Sequence, residues 1–225
     1  MRAIHGLSIL TLLSSLAPVA RAEPGPGEPA ASFVAGGGIL QRGAHALVLT
    51  IDAELLLPPI MLGYRYGLLD GLELGAEAGG DQGLFQALLS AKRRLVERDG
   101  GYWGLRLRTG FKTHDWSSGA IVFDDRSWVV SLEHVAALRL GQRRSLALYV
   151  NSFVYLDIDL RTPQRQTDVY LAPASLGLEA RLGRRFSAFL ELGFAIGLNG
   201  TQTHTGLLYV SDIFPIGKLG LGLLL

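Results

Sequence analysis

LGYRYGLLDGLELGAEA, residues 62–78, alternates apolar with small or charged side chains on both sides of an Asp70-Gly71 turn. Leu62, Tyr64, Tyr66 and Leu68 share one face with Leu72, Leu74, Ala76 and Ala78. Gly63, Arg65, Gly67, Glu73, Gly75, Glu77 and Gly79 share the other. Successive side chains of a strand point to opposite faces, so a period of two flanking a turn predicts a β-hairpin. The faces also set the register. A two-residue turn would pair Leu69 with Leu72 and Arg65 with Ala76, mixing the faces. A three-residue loop over residues 69–71 pairs Leu68 with Leu72 and keeps them aligned. Gly71 then takes the left-handed position of that loop, and Arg65 lies diagonal to both Glu73 and Glu77.

The same alternation runs through the rest of the chain. Strands are predicted over residues 44–56, 60–68, 72–80, 84–97, 102–114, 127–140, 145–160, 168–182, 186–198 and about 213–225. In the clearest of them Trp103, Leu105, Leu107, Thr109 and Phe111 alternate with Gly104, Arg106, Arg108 and Gly110. Residues 32–40 offer one further strand as an alternative. Short turns at residues 69–71, 98–101, 141–144 and 183–185 alternate with longer connections, including residues 114–126, 161–167 and 199–205. Short turns at one end and long loops at the other describe an all-β, antiparallel, up-and-down transmembrane β-barrel of about 10 strands, with 8 or 12 as alternatives.

Residues 1–22 combine Arg2, an apolar run over residues 7–16 and a small-x-small end at Ala20-Arg21-Ala22, the pattern of a cleaved signal peptide. Residues 23–43, beginning EPGPGE, are expected to form a flexible leader, and residues 44–225 the barrel. The chain has no cysteine, so no disulfide framework holds it. Charged residues make up 18% and hydrophobic ones 48%. The longest apolar run, residues 55–62, contains Pro58 and Pro59 and is far shorter than the roughly 20 residues a membrane helix needs. A net charge of +1 argues against a nucleic-acid surface.

The polar face decides which side is the interior. A water-facing wall would carry long charged side chains throughout. Here glycines at positions 67, 75, 79, 104, 110, 177, 193 and 197 stand beside Tyr149, Phe153 and Tyr155, a mixture suited to a crowded lumen. Arg65, Arg106, Arg108, Lys112, Arg139 and Arg181 share this face with Asp52, Glu54, Glu73, Glu77, Glu133, Asp157, Asp159, Glu179 and Glu191. In a narrow barrel such charges should pair, which favours a filled interior over an open channel. The expected network is Arg65, Glu73, Glu77, Arg106, Arg108, Glu133, Arg139, Glu179, Arg181 and Glu191. A loop centred near Ala120 and Ile121 would put Arg108 opposite Glu133.

With its signal peptide, alternating strands and terminal GKLGLGLLL, the chain resembles bacterial outer-membrane β-barrel proteins of the small, single-chain kind, over residues 44–225. The resemblance implies residence in the outer membrane and contact with its lipid and lipopolysaccharide. It also implies recognition of the last strand by the barrel-assembly machinery, a signal that Leu219, Leu221, Leu223 and Leu225 match. Family members usually end in an aromatic residue, where this chain has Leu225. Tyr64, Tyr66, Trp103 and Trp128 are candidates for interfacial aromatic girdles.

Candidate chemistry is sparse. His114, Asp115, Asp124 and Asp125 fall in the longest predicted loop and His204 in another. Their composition is similar to the rim of omptin proteases, which makes an outer-membrane hydrolase the alternative reading. Ser131 and His134 are three residues apart on one strand, so they point to opposite faces and cannot share a hydrogen bond. Five scattered histidines form no metal-ligand spacing, and Gly36-Gly37-Gly38 lacks the Lys-Ser/Thr of a phosphate loop. The expectation is a non-enzymatic protein with no cofactor, no metal and no nucleic-acid partner, in a structural, surface-interaction or narrow small-solute role. A soluble exported barrel around a small apolar ligand is a third reading. The sequence sets no oligomeric state.

Overall fold

The computed structural model of the chain describes residues 33–36, 38–52, 60–80, 84–98, 100–118, 121–141, 145–160, 167–199 and 209–225. Among these residues ten strands form. They are β1 (His45–Asp52), β2 (Ile60–Leu69), β3 (Leu72–Gly80), β4 (Leu84–Arg98), β5 (Gly101–Ser118), β6 (Ile121–Leu140), β7 (Leu146–Asp159), β8 (Thr167–Arg181), β9 (Phe186–Asn199) and β10 (Tyr209–Leu224). Each pairs antiparallel with its chain neighbours, and β10 returns to β1, from Ala46 opposite Leu224 to Asp52 opposite Lys218. The fold is a closed up-and-down barrel, as the alternation predicts, so every strand has a neighbour on both sides. The signal-peptide residues and His204 lie outside the described residues.

The first hairpin forms in the register the faces demand. Met61 pairs with Gly79 and Gly67 with Glu73, after which the register shifts and Leu69, not the expected Leu68, pairs with Leu72. Leu68 is the extra residue of a bulge that keeps the greasy side chains together, and Gly71 closes the turn at φ 82°. The β4–β5 turn repeats the device, with Gly100 at φ 86° after a shift between Arg94 and Val96. A third bulge, between Leu171 and Ala174 on β8, surrounds Pro173, which has no N–H to give to the ladder. The bulge shifts the face parity, so that Ala172 and Ser175 are both buried although three residues apart.

The hairpin of β5 and β6 departs from the sequence reading. In place of a loop over residues 114–126, the strands continue to Ser118 and Ile121, with Ser118 opposite Ile121. Their outer neighbours stop earlier, β4 at Leu84 opposite His114 and β7 at Asp159 opposite Ser127. Among the described residues the tip therefore continues as a two-stranded ribbon beyond its neighbouring strands. The register is also two residues away from the expected one, and Arg106 rather than Arg108 stands opposite Glu133.

Leucines, aromatics and valines cover the exterior, with Leu62 58%, Leu89 65%, Leu107 47% and Leu192 58% exposed. The interior carries the charges. Arg65, Glu73, Lys92, Arg106, Arg108, Glu133, Glu179, Glu191 and Lys218 are all buried. This distribution is the reverse of that in a water-soluble globule, where the apolar face turns inward.

Residues 33–36 and 38–44 form no strand. Phe33, Val34, Ala35, Gly36, Gly38, Ile39 and Leu40 are buried inside the barrel at the end that carries the short turns. Val34, Ala35, Ile39 and Leu40 pack with Ala46, Val48, Tyr102, Val135, Ala137, Tyr149 and Phe189 of the wall. The described part of the leader is thus an internal plug and not a flexible tether. It leaves the lumen through a turn in which the Gly43 N–H donates to Gly67 O and the Gly67 N–H donates to Ala44 O.

Candidate functional site

The lumen is the one region of the described molecule where polar side chains converge, and it is built in layers. At the short-turn end lies the plug with its apolar surround. At the far end Met61, Leu88, Val129, Phe153, Tyr155, Ala172, Ala195 and Ile216 meet across the lumen, with Tyr170 against them. Between the two lies a belt of charge enclosing a cavity of about 50 Å³. That is room for a few waters. The cavity lining balances Arg65, Arg106, Arg108 and Lys218 against Asp52, Glu77, Glu133 and Glu191.

Within the belt the pairs follow strand geometry. Arg65, diagonal to two glutamates on β3, reaches Glu77 at 3.3 Å and Glu73 at 3.6 Å, as the first hairpin predicts. Glu133 is paired twice, with Arg106 at 3.5 Å from the directly opposite position and with Arg108 from the diagonal one. The expected Arg108–Glu133 contact therefore forms even though its register differs, because neighbouring inward positions on β5 are both within reach of a long side chain. Arg108 also approaches Glu77 at 3.8 Å. Glu191 accepts from Tyr149 Oη at 3.2 Å, from Asn151 Nδ2 at 3.3 Å and from Ser175 Oγ. Toward the far end Lys112 Nζ meets Asp157 at 2.7 Å. Arg139 pairs with Glu97 at 2.7 Å and lies over the Phe33 ring, at the short-turn end. Arg181, half-buried, reaches the Arg184 carbonyl at 3.4 Å.

Several wall charges act on the plug's main chain. The Glu179 carboxylate accepts the Val34 N–H at 2.6 Å and the Ala35 N–H at 3.0 Å, and Glu73 accepts the Leu40 N–H at 3.0 Å. In the other direction Arg65 donates to the Val34 carbonyl, and Arg106 to the Ala35 carbonyl at 3.1 Å. Lys92 donates to the Ala35 carbonyl at 3.1 Å and to that of Gly38. Backbone groups that leave the sheet ladder must find partners elsewhere when buried, and charged side chains supply strong ones. One contact requires glycine, and a second would need the Arg139 side chain to move aside. A Cβ on Gly36 would stand 2.3 Å from the Tyr149 ring, and one on Gly38 would stand 2.7 Å from an Arg139 guanidinium nitrogen.

Lys92, Lys218 and Gln86 line the interior although the charge reading of the sequence omitted them. The signal was there in their parity. Gln86, Leu88, Ser90 and Lys92 alternate on β4, as do Ile216, Lys218, Gly220 and Gly222 on β10.

The candidate hydrolytic residues are only partly drawn together. The backbone register of the β5–β6 tip sets His114 opposite Asp125 and Asp115 opposite Asp124, while His204 lies outside the described residues. Ser131 is buried in the lumen and His134 is exposed on the exterior, so the two stand on opposite faces. Among the described residues no group of three His, Asp, Glu or Cys side chains gathers as a metal set.

No family model and no curated protein matches the chain. Among solved structures it is similar to OmpT (in-vitro folded), an outer membrane protein of Vibrio cholerae. The match has 10% identity, covers 81% of this chain and 96% of that chain, and has a TM-score of 0.24.

Proposed function

We propose that the chain is a bacterial outer-membrane β-barrel protein with a closed lumen, in a structural or narrow small-solute role and without enzymatic activity. The observation that carries this reading is the inverted wall, with leucines exposed outside and paired charges buried inside. An exterior this apolar exceeds what a water-soluble surface carries as isolated residues. It suits a bilayer, where a closed barrel satisfies every backbone group.

The dimensions support the same reading. Trp103 and Trp128 are both on the exterior, and Trp128 pairs with Phe111, eight residues along β5 from Trp103. Eight residues span about 27 Å along a strand, or about 20 Å after a tilt of 35–45°, close to the roughly 25 Å apolar band of such barrels. The exposed Leu219 and Leu221 of β10 suit recognition by assembly machinery, and lipid and lipopolysaccharide are the proposed exterior contacts. A soluble barrel around an apolar ligand would need an apolar lumen, and this one is charged.

Fractionation and conductance test the proposal together. The chain should pellet with outer membranes and resist a carbonate wash. Purified protein in planar bilayers should give no stable porin-sized current, because two apolar layers and a salt-bridged belt occupy the path. Recovery in the soluble fraction would overturn the membrane assignment, and long-lived large openings would overturn the closed lumen.

A further inference from the structure

We propose that the short-turn half of the lumen is a binding site for a glycine-containing peptide, and that the segment carrying residues 33–36 and 38–40 is its tethered and exchangeable occupant. The contacts that define the site read main chain. Glu179, Glu73, Arg65, Lys92 and Arg106 together engage the N–H groups of Val34, Ala35 and Leu40 and the carbonyls of Val34, Ala35 and Gly38. Hydrogen bonds to the backbone are blind to side-chain identity. Sequence enters instead through space. Position 36 must be glycine beneath the Tyr149 ring, a side chain at position 38 would have to displace the Arg139 guanidinium, and the flanking residues must be apolar enough to pack on Tyr102, Tyr149 and Phe189.

Two features make the occupant exchangeable. Residues 33–36 and 38–40 are not strands of the sheet, so their departure breaks no rung of the β1–β10 or β1–β2 ladder. The wall charges also have one another. Arg65 keeps Glu77 and Glu73, and Arg106 keeps Glu133, whereas Lys92, whose hydrogen bonds run to the Ala35 and Gly38 carbonyls, needs the carbonyls of an incoming chain in their place. A second peptide with the same pattern, entering from the short-turn end, would meet the same donors and acceptors. This inference concerns the interior and does not depend on where the barrel resides.

Because the chain has no cysteine, Ala35→Cys places a single thiol on the buried segment. The full-length protein, folded in detergent, is treated with a thiol reagent with and without the synthetic peptide FVAGGGILQRG, residues 33–43. A short tether gives an effective concentration in the millimolar range, so millimolar peptide is needed to compete, and it should speed labelling by about tenfold. The same peptide with leucine in place of Gly36 should leave the rate unchanged. Labelling independent of peptide, or equal acceleration by both peptides, would overturn the proposal. If Ala35→Cys does not fold, a protease recognition sequence inserted between Gln41 and Arg42 allows the folded chain to be cut. Saturable uptake of fluorescent FVAGGGILQRG by the cut protein supports the site, and failure to take it up refutes it.

Discussion

The two halves of the lumen are filled by different means. At the far end the barrel fills itself, since Phe153, Tyr155, Leu88, Val129 and Ile216 all come from wall strands and pack across the axis. At the short-turn end the wall is carved out by glycines at positions 67, 177 and 222, and a separate segment occupies the space. A Cβ on Gly177 would stand 2.0 Å from the Tyr149 ring and one on Gly222 would stand 2.1 Å from Val34. One half is therefore inseparable from the barrel's own stability, while the other can lose its filling and leave the ladder whole. The belt between them is shared, because Arg65 and Arg106 serve both a carboxylate and the plug.

This contrast sets an order of effects for single substitutions, measured as folding free energy by urea titration in lipid vesicles. Phe153→Ala in the self-filled half should cost about 3–5 kcal/mol, and a near-neutral result would mean the far layer is not packed. Glu133→Ala should cost a similar 3–5 kcal/mol, because it leaves both Arg106 and Arg108 buried without it. A double-mutant cycle with Arg108→Ala should show coupling of about 0.5–3 kcal/mol, and zero coupling would break the diagonal pairing. On the exterior, Leu107→Lys should cost about 2–4 kcal/mol if lipid surrounds it, while Arg108→Lys one residue away costs far less.

In the plugged half, Glu179→Gln should cost about 1–3 kcal/mol and act locally. Proteolysis within residues 33–40 should rise while the barrel's gel mobility stays that of the folded form, and loss of the whole barrel would erase the distinction between the halves. The smallest effect is expected at Arg94→Ala, whose pair with Glu97 is about a third exposed, at 0–1 kcal/mol.

Much of the wall is legible in the sequence. The alternation of residues 62–78 yields the hairpin register from Met61 to Gly67 and the Arg65 pairs, because a one-residue slip would turn every side chain to the wrong face, but it does not yield the bulge at Leu68, where Leu69 rather than Leu68 pairs with Leu72. The same rule places Ser131 and His134 on opposite faces. It fails where faces cease to matter. Beyond His114 and Ser127 the β5–β6 ribbon has no flanking strand among the described residues, and THDWSSGAIVFDDRS carries no alternation from which to count a register. The plug is hidden for a related reason. Residues 32–40 offer a strand that the described part of the segment does not form, and the wall's polar contacts with it run to backbone atoms that every residue possesses.

The central claim is that the wall is inverted around a closed interior. Single nitroxide labels placed in turn at residues 102–111 of β5 test it most directly, since the chain supplies no competing cysteine. Labels at 103, 105, 107, 109 and 111 should collide freely with oxygen dissolved in the bilayer. Those at 104, 106, 108 and 110 should be shielded both from oxygen and from a water-soluble nickel chelate. Even-numbered positions open to the chelate would reveal a wet lumen, and a reversed alternation would contradict the account altogether.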